Sequence, residues 1–89
     1  MDYAIDLKNF YEPMDNKPLL QNAIVESANG RTYRADRWFR KGLHCYVFID
    51  ITMHDTPKPP FAQSPSQVTK AIKNNKIIVK KYGFESAFN

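Results

Sequence analysis

Residues 31–42, RTYRADRWFRKG, hold every arginine of the chain. Arg31, Arg34, Arg37 and Arg40 recur at intervals of three, with Lys41 and the single tryptophan, Trp38, among them. Guanidinium forks beside an indole can grip phosphates and stack on bases; the same residue types dominate protein-binding hot spots. Lys70, Lys73, Lys76, Lys80 and Lys81 form a second basic block with no acid inside it. A lone charge block is usually a solvated face. Two blocks favour a polyanionic or acidic partner if folding brings them together.

Other chemistry is poorly supplied. His44, Cys45, His54 and Asp55 offer metal donors, but His44 and His54 on one strand would stand about 33 Å apart. Ser64 and Ser66 read as helix-capping residues before they read as nucleophiles. Gly30, Gly42 and Gly83 stand alone, so no glycine-rich phosphate loop exists. Asp50 with either histidine is the one acid–base pairing on offer, and any strand with charged rims shows as much. The expectation is a protein that is not an enzyme and uses no metal or cofactor.

Size and charge narrow the setting. Eighty-nine residues make one domain, and six Phe, five Tyr and one Trp are too many rings for a disordered chain. The longest apolar run, Cys45 to Ile49, is far short of the ~18 residues of a membrane span. The opening Met-Asp-Tyr shows no basic or apolar leader, and one cysteine excludes an internal disulfide. Both suit a cytoplasmic protein. The net charge of +4 is uneven: residues 1–30 carry two lysines against five acids, and residues 31–89 carry eleven cations against four.

The elements that must position these residues follow from periodicity. In LHCYVFIDITMH, residues 43–54, every odd position is apolar, which predicts a long strand burying its odd face, Cys45 included as an inert thiol. The arginine interval fits neither a strand nor a helix. Thr32, Tyr33, Trp38 and Phe39, framed by Asn29-Gly30 and Lys41-Gly42, favour a strand. A two-residue Lys41-Gly42 turn would pair Trp38 with Cys45 and Arg34 with Ile49, setting Arg34, Asp36 and Arg40 on the apolar face, a costly arrangement. A three-residue loop with Gly42 left-handed pairs Phe39 with Leu43, Arg37 with Cys45, Ala35 with Val47 and Tyr33 with Ile49, and is the expected register. It would gather Trp38, Tyr46 and Phe48 with Arg34 and Arg40 on one outer face. A helix covering that face would instead turn the rings into a second core layer.

Residues 19–27 read as a partner strand, with the register across Asn29-Gly30 left open. Residues 55–64 read as a proline-rich loop. Ser64, Pro65 and Gln67 carry helix-start signals, a capping box among them, for residues 65–75, and residues 76–82 close as a strand. Tyr3, Leu7 and Tyr11 fit a helix, and Tyr3, Ile5 and Leu7 a strand, so residues 1–18 stay unassigned. Leu7, Phe10 and Tyr11 are available to cover the second sheet face.

The sequence thus predicts an α+β fold: a small antiparallel sheet, a three-stranded meander plus a C-terminal strand, packed with one main helix. It predicts a non-catalytic binding protein that contacts nucleic acid, single-stranded or duplex, through a basic and aromatic hairpin. The contact residues expected are Arg31, Arg34, Trp38, Arg40, Lys41, Tyr46 and Phe48, with a secondary patch at Lys70, Lys73, Lys80 and Lys81. The alternative is a small adaptor or inhibitor that meets an acidic protein surface through the same patch, or pairs an edge strand with a partner or a second copy. No membrane is expected among its partners.

Overall fold

The computed structural model describes residues 7–53 and 56–85. Tyr3, Ile5, His54 and Asp55 lie outside them. Among the described residues, six strands form one antiparallel sheet: β1 (Glu12–Pro13), β2 (Ala23–Ser27), β3 (Thr32–Arg40), β4 (Leu43–Asp50), β5 (Phe61–Gln63) and β6 (Ile77–Lys81). Their order in space is β1-β4-β3-β2-β6, and β5 adds to β4 beside β1. Among the described residues one α-helix, α1 (Pro65–Lys73), packs on the sheet, so the fold is α+β as expected. Two short strands fall where none was foreseen. β5 lies within the stretch read as a loop, and β1 within the unassigned segment. Among the described residues no helix is long and apolar enough to cross a membrane.

The helix is bounded by local chemistry at both ends. The Ser64 hydroxyl accepts from the Gln67 N–H at 3.2 Å while the Gln67 side chain accepts from the Ser64 N–H at 2.9 Å, a complete capping box, with Pro65 at the first turn. At the other end Asn75 turns left-handed (φ 58°). The Lys76 N–H then reaches Ala71 C=O at 2.8 Å and the Asn75 N–H reaches Ile72 C=O at 3.1 Å, a Schellman closure built on asparagine. Pro65 and Val68 are the buried residues of this helix, and Val68 joins Leu19, Ala23, Val25, Tyr33, Ala35, Tyr46 and Phe48 in one core cluster.

The register of the central hairpin differs from the expected one. β3 and β4 are joined by the two-residue turn, with Lys41 (φ 49°) and Gly42 (φ 80°) both left-handed. Arg40 pairs with Leu43, Trp38 with Cys45, Asp36 with Val47 and Arg34 with Ile49. A tight turn with two left-handed residues matches the natural twist of a strand pair, so it is the favoured connection. The three-residue loop with a left-handed glycine does occur, one hairpin earlier. Ala28-Asn29-Gly30 joins β2 to β3, with Gly30 at φ 85° and the Ser27 N–H donating to Arg31 C=O at 2.8 Å.

The cost that argued against the tight turn does not arise, because the core face of β4 is the even one. His44, Tyr46, Phe48 and Asp50 lie on the helix side with Tyr33, Ala35 and Arg37. The Arg37, His44, Tyr46 and Asp50 side chains of that set all have partners. Tyr46 Oη bonds the backbone of Leu19, and His44 bonds Arg37 and Asn16. Asp50 accepts from Arg31 at 2.7 Å and from the Thr52 and Lys58 N–H groups at 2.9 Å each. Burial of satisfied polar groups carries little penalty. The odd face, with Leu43, Cys45, Val47 and Ile49, points away from α1. Near β4 it is covered in part by Tyr11, whose hydroxyl meets the buried Cys45 thiol. Toward β2 and β6 it stays open.

Candidate nucleic-acid interface

The face of the sheet opposite α1 is set by alternation along three strands. β2 presents Ile24 and Glu26 there, and β3 presents Thr32, Arg34, Asp36, Trp38 and Arg40. β6 would contribute alternate residues, but its pairing with β2 slips by one. Val79 faces Val25, and two steps later Lys81 faces Ile24. This bulge re-aims the strand, so the consecutive lysines Lys80 and Lys81 both emerge on the helix-free face. Lys80 reaches Glu26 at 3.6 Å. Both lysines line a shallow hollow with Asn22, Ile24, Arg34, Tyr82, Gly83 and Phe84.

Folding therefore joins the two basic blocks of the sequence, in part. Arg34 comes from the first and Lys80 and Lys81 from the second. Arg34 is oriented by Asn22, whose Oδ1 accepts from its Nη1 at 3.1 Å. Trp38, 47 % exposed, and Arg40 continue the same face toward the exposed Lys41 at the hairpin tip. The acids that these strands place on this face are Glu26 and Asp36. Cations outnumber them.

Other candidate residues are placed elsewhere. Tyr46 and Phe48 were expected on the accessible face; they are 0 % and 3 % exposed, beneath the helix. Phe48 stacks on Phe61 at 5.4 Å and meets Tyr33 edge-on at 6.5 Å, an aromatic core contact. The physical reason is the register: the even residues of β4 and the even residues of β3 lie on opposite faces. Arg31 turns to Asp50, and its second contact is Thr56 C=O at 3.3 Å. Lys70 and Lys73 project from α1 on the other side of the sheet and do not join the patch. Arg37 is buried. Its guanidinium bonds His44 Nδ1 and reaches Glu85 at 3.1 Å, while Glu85 pairs with Lys17 at 2.9 Å.

Tyr82 and Phe84, 63 % and 56 % exposed, were not foreseen as contact residues. Gly83 between them runs at φ 90° against the backbone of Gln21, and the Phe84 and Gln21 backbones bond each other. The available signal was a lysine pair followed at once by Tyr-Gly-Phe, with the glycine forcing a bend at the rim of the hollow, where Tyr82 also borders Thr69 and Ile72 of α1.

Among the described residues no three His, Cys, Asp or Glu side chains converge as a metal site would need. The Cys45 thiol is fully buried, and burial pushes its pKa up to about 11. What the face offers is fixed positive charge, hydrogen-bond donors and exposed rings. No family model, curated protein or solved structure matches the chain.

Proposed function

We propose that this is a non-catalytic nucleic-acid-binding protein that works through the helix-free face of its sheet. The observation that carries the reading is the β6 bulge, which brings Lys80 and Lys81 beside Arg34 in a hollow rimmed by Tyr82 and Phe84. Trp38, Arg40 and Lys41 extend that surface to the hairpin tip. Cations for phosphates and rings for bases on one surface are the two components of nucleic-acid affinity. A cytoplasmic setting fits a chain whose single thiol is free.

A second reading rests on β6 itself. It pairs with β2 alone and exposes Ile78, so an adaptor or inhibitor, or a second copy of the chain, has an edge to extend. Adjacent lysines and a bulge, however, are the devices that blunt sheet edges against strand addition. They favour the polyanion.

Labelled oligonucleotides titrated across a salt series test the proposal. Five contacts, from Arg34, Arg40, Lys41, Lys80 and Lys81, predict a log–log slope of roughly −3.5 on single strands or −4.5 on duplex. Lys81→Gln lowers its magnitude by about one contact's share, ~0.7–0.9. Salt-insensitive binding, or none to either form at low salt, overturns the proposal. A dimer in sedimentation that β6 substitutions abolish would establish the second reading in its place.

A further inference from the structure

Resting on the nucleic-acid reading, we infer that the surface takes single strands, stacking bases on Trp38, Tyr82 and Phe84, and does not seat a duplex groove. The juxtaposition of the hairpin tip with β1 carries this.

A β-hairpin reads duplex DNA by entering the major groove, which is about 12 Å wide and admits a two-stranded ribbon. Here the hairpin is flanked almost to its end. Pro13 of β1 pairs with Leu43, next to the Lys41-Gly42 turn, and Glu12 pairs with His44. On the outer side of β3, the Gln21 side chain accepts from the Arg37 N–H. Three strands abreast already span about 10 Å between outer axes before any side chain is added. Beyond the Pro13–Leu43 pair the hairpin extends only by Arg40, Lys41 and Gly42, too little to reach base edges.

β1 is fixed in that position. Glu12 Oε1 accepts from the Ser66 N–H at 3.0 Å and from the Ser66 hydroxyl at 2.8 Å, tying the strand to the start of α1. Moving β1 aside would break both bonds.

The exposed rings make the complementary point. In a duplex the base faces are occupied by their neighbours, so rings on a protein surface meet sugar and phosphate. In a single strand each base has a free face, and every base can use it. Trp38 stands four residues from Arg34 on the same face of β3, about 13 Å along the strand. Across β2, Lys81 is level with Arg34, and Phe84, which bridges Gln21, lies farther along in the same direction as Trp38, about 10 Å to its side. The rings thus lie between Arg34, Lys80 and Lys81 at one end of the face and Arg40 and Lys41 at the other, an arrangement that alternates backbone and base contacts across the sheet.

Trp38 is the single tryptophan, so its fluorescence reports the proposed contact directly. A single-stranded oligonucleotide of about 12 nucleotides, within the site size of a small binding fold, is compared at equal salt with the duplex of the same sequence. The expected result is quenching of Trp38 by the single strand, and affinity at least about tenfold above the duplex. Tyr82→Leu and Phe84→Leu should each weaken single-strand binding by about 5- to 100-fold, as loss of one stack predicts, with the salt slope unchanged. Both residues are exposed, so the variants should fold, which circular dichroism checks. Equal or tighter duplex binding overturns the inference and leaves the nucleic-acid reading standing. So does single-strand binding without quenching, or ring variants that bind normally. Failure to bind either form overturns that reading itself.

Discussion

The Tyr46 hydroxyl closes on the backbone of Leu19 from both sides, donating to its carbonyl at 2.6 Å and accepting from its N–H at 3.2 Å. Leu19 and Tyr46 are both almost wholly buried, and 27 residues separate them. One phenol therefore satisfies two backbone groups that no strand pairs, and it locks the segment before β2 over the core. Tyr46→Phe would leave both groups dry and unbonded, and should cost about 1–3 kcal/mol. Urea unfolding should show a lower midpoint with an unchanged slope. A midpoint equal to that of the parent would mean that the segment finds other partners.

That contact also explains which part of the fold was legible. The capping box at Ser64 and Gln67 is local, so four residues sufficed to announce it. Strand alternation in residues 43–50 was equally visible, but which face lies inside was not. Leu43, Cys45, Val47 and Ile49 have the apolar side chains, yet the helix covers His44, Tyr46, Phe48 and Asp50. Their polar atoms are matched by Leu19, Asn16, Arg31, Arg37 and Lys58, partners that only the folded chain brings near. The register at Gly42 was misread for the same reason. Of the contact surface, Arg34, Trp38 and Arg40 could be read from strand parity. Lys80 and Lys81 needed a bulge that no residue type announces.

His44 gives the fold a pH dependence of definite sign. Its Nε2 lies 2.8 Å from Asn16 C=O and therefore carries the proton, leaving Nδ1 to accept from Arg37. Burial is the main force holding its pKa below 6.5, and the Arg37 and Lys17 cations lower it further, outweighing Glu12 and the bond to Asn16. Below pH 6.5 the unfolded chain takes up a proton that the native imidazole refuses. Stability therefore falls as pH drops from 6.5 toward the native value. The Asp50 and Glu85 carboxyls, held below their ordinary values of 3.8 and 4.5, act in a more acidic range. Urea midpoints between pH 7.5 and 5.5 should decline in the parent and decline less in His44→Gln. Equal declines would place the titrating group elsewhere.

Cys45 should be chemically silent while the protein is folded. With a pKa of about 11, only about one thiol in a thousand is thiolate at pH 8, and the sulfur is shielded from solvent. A disulfide reagent at pH 8 should leave the native protein untouched and titrate one thiol in denaturant. Rapid native reaction would show that the Tyr11 cover over β4 opens readily.

Gly83 links the stability of the fold to the candidate surface. Its φ of 90° favours glycine, and an added Cβ would fall against backbone atoms, Gln21 O and, at 2.9 Å, Ala23 N, which cannot rotate away. Gly30 has a similar φ of 85° but open space around it. Gly30→Ala should therefore cost only the conformational strain, about 1–2 kcal/mol, and Gly83→Ala should cost clearly more. For a domain of this size each 1 kcal/mol lowers the melting temperature by about 4–8 °C, so the two variants should separate in a thermal scan. They should separate again in oligonucleotide binding. Displacing residue 83 moves Tyr82 and Phe84 off the hollow they share with Arg34, Lys80 and Lys81, whereas Gly30 lies in the turn between β2 and β3, outside that hollow. If the two variants melt alike, the approach of Gly83 to the Gln21 backbone is looser than it stands here. If they differ in melting yet bind alike, Tyr82 and Phe84 are not part of the contact.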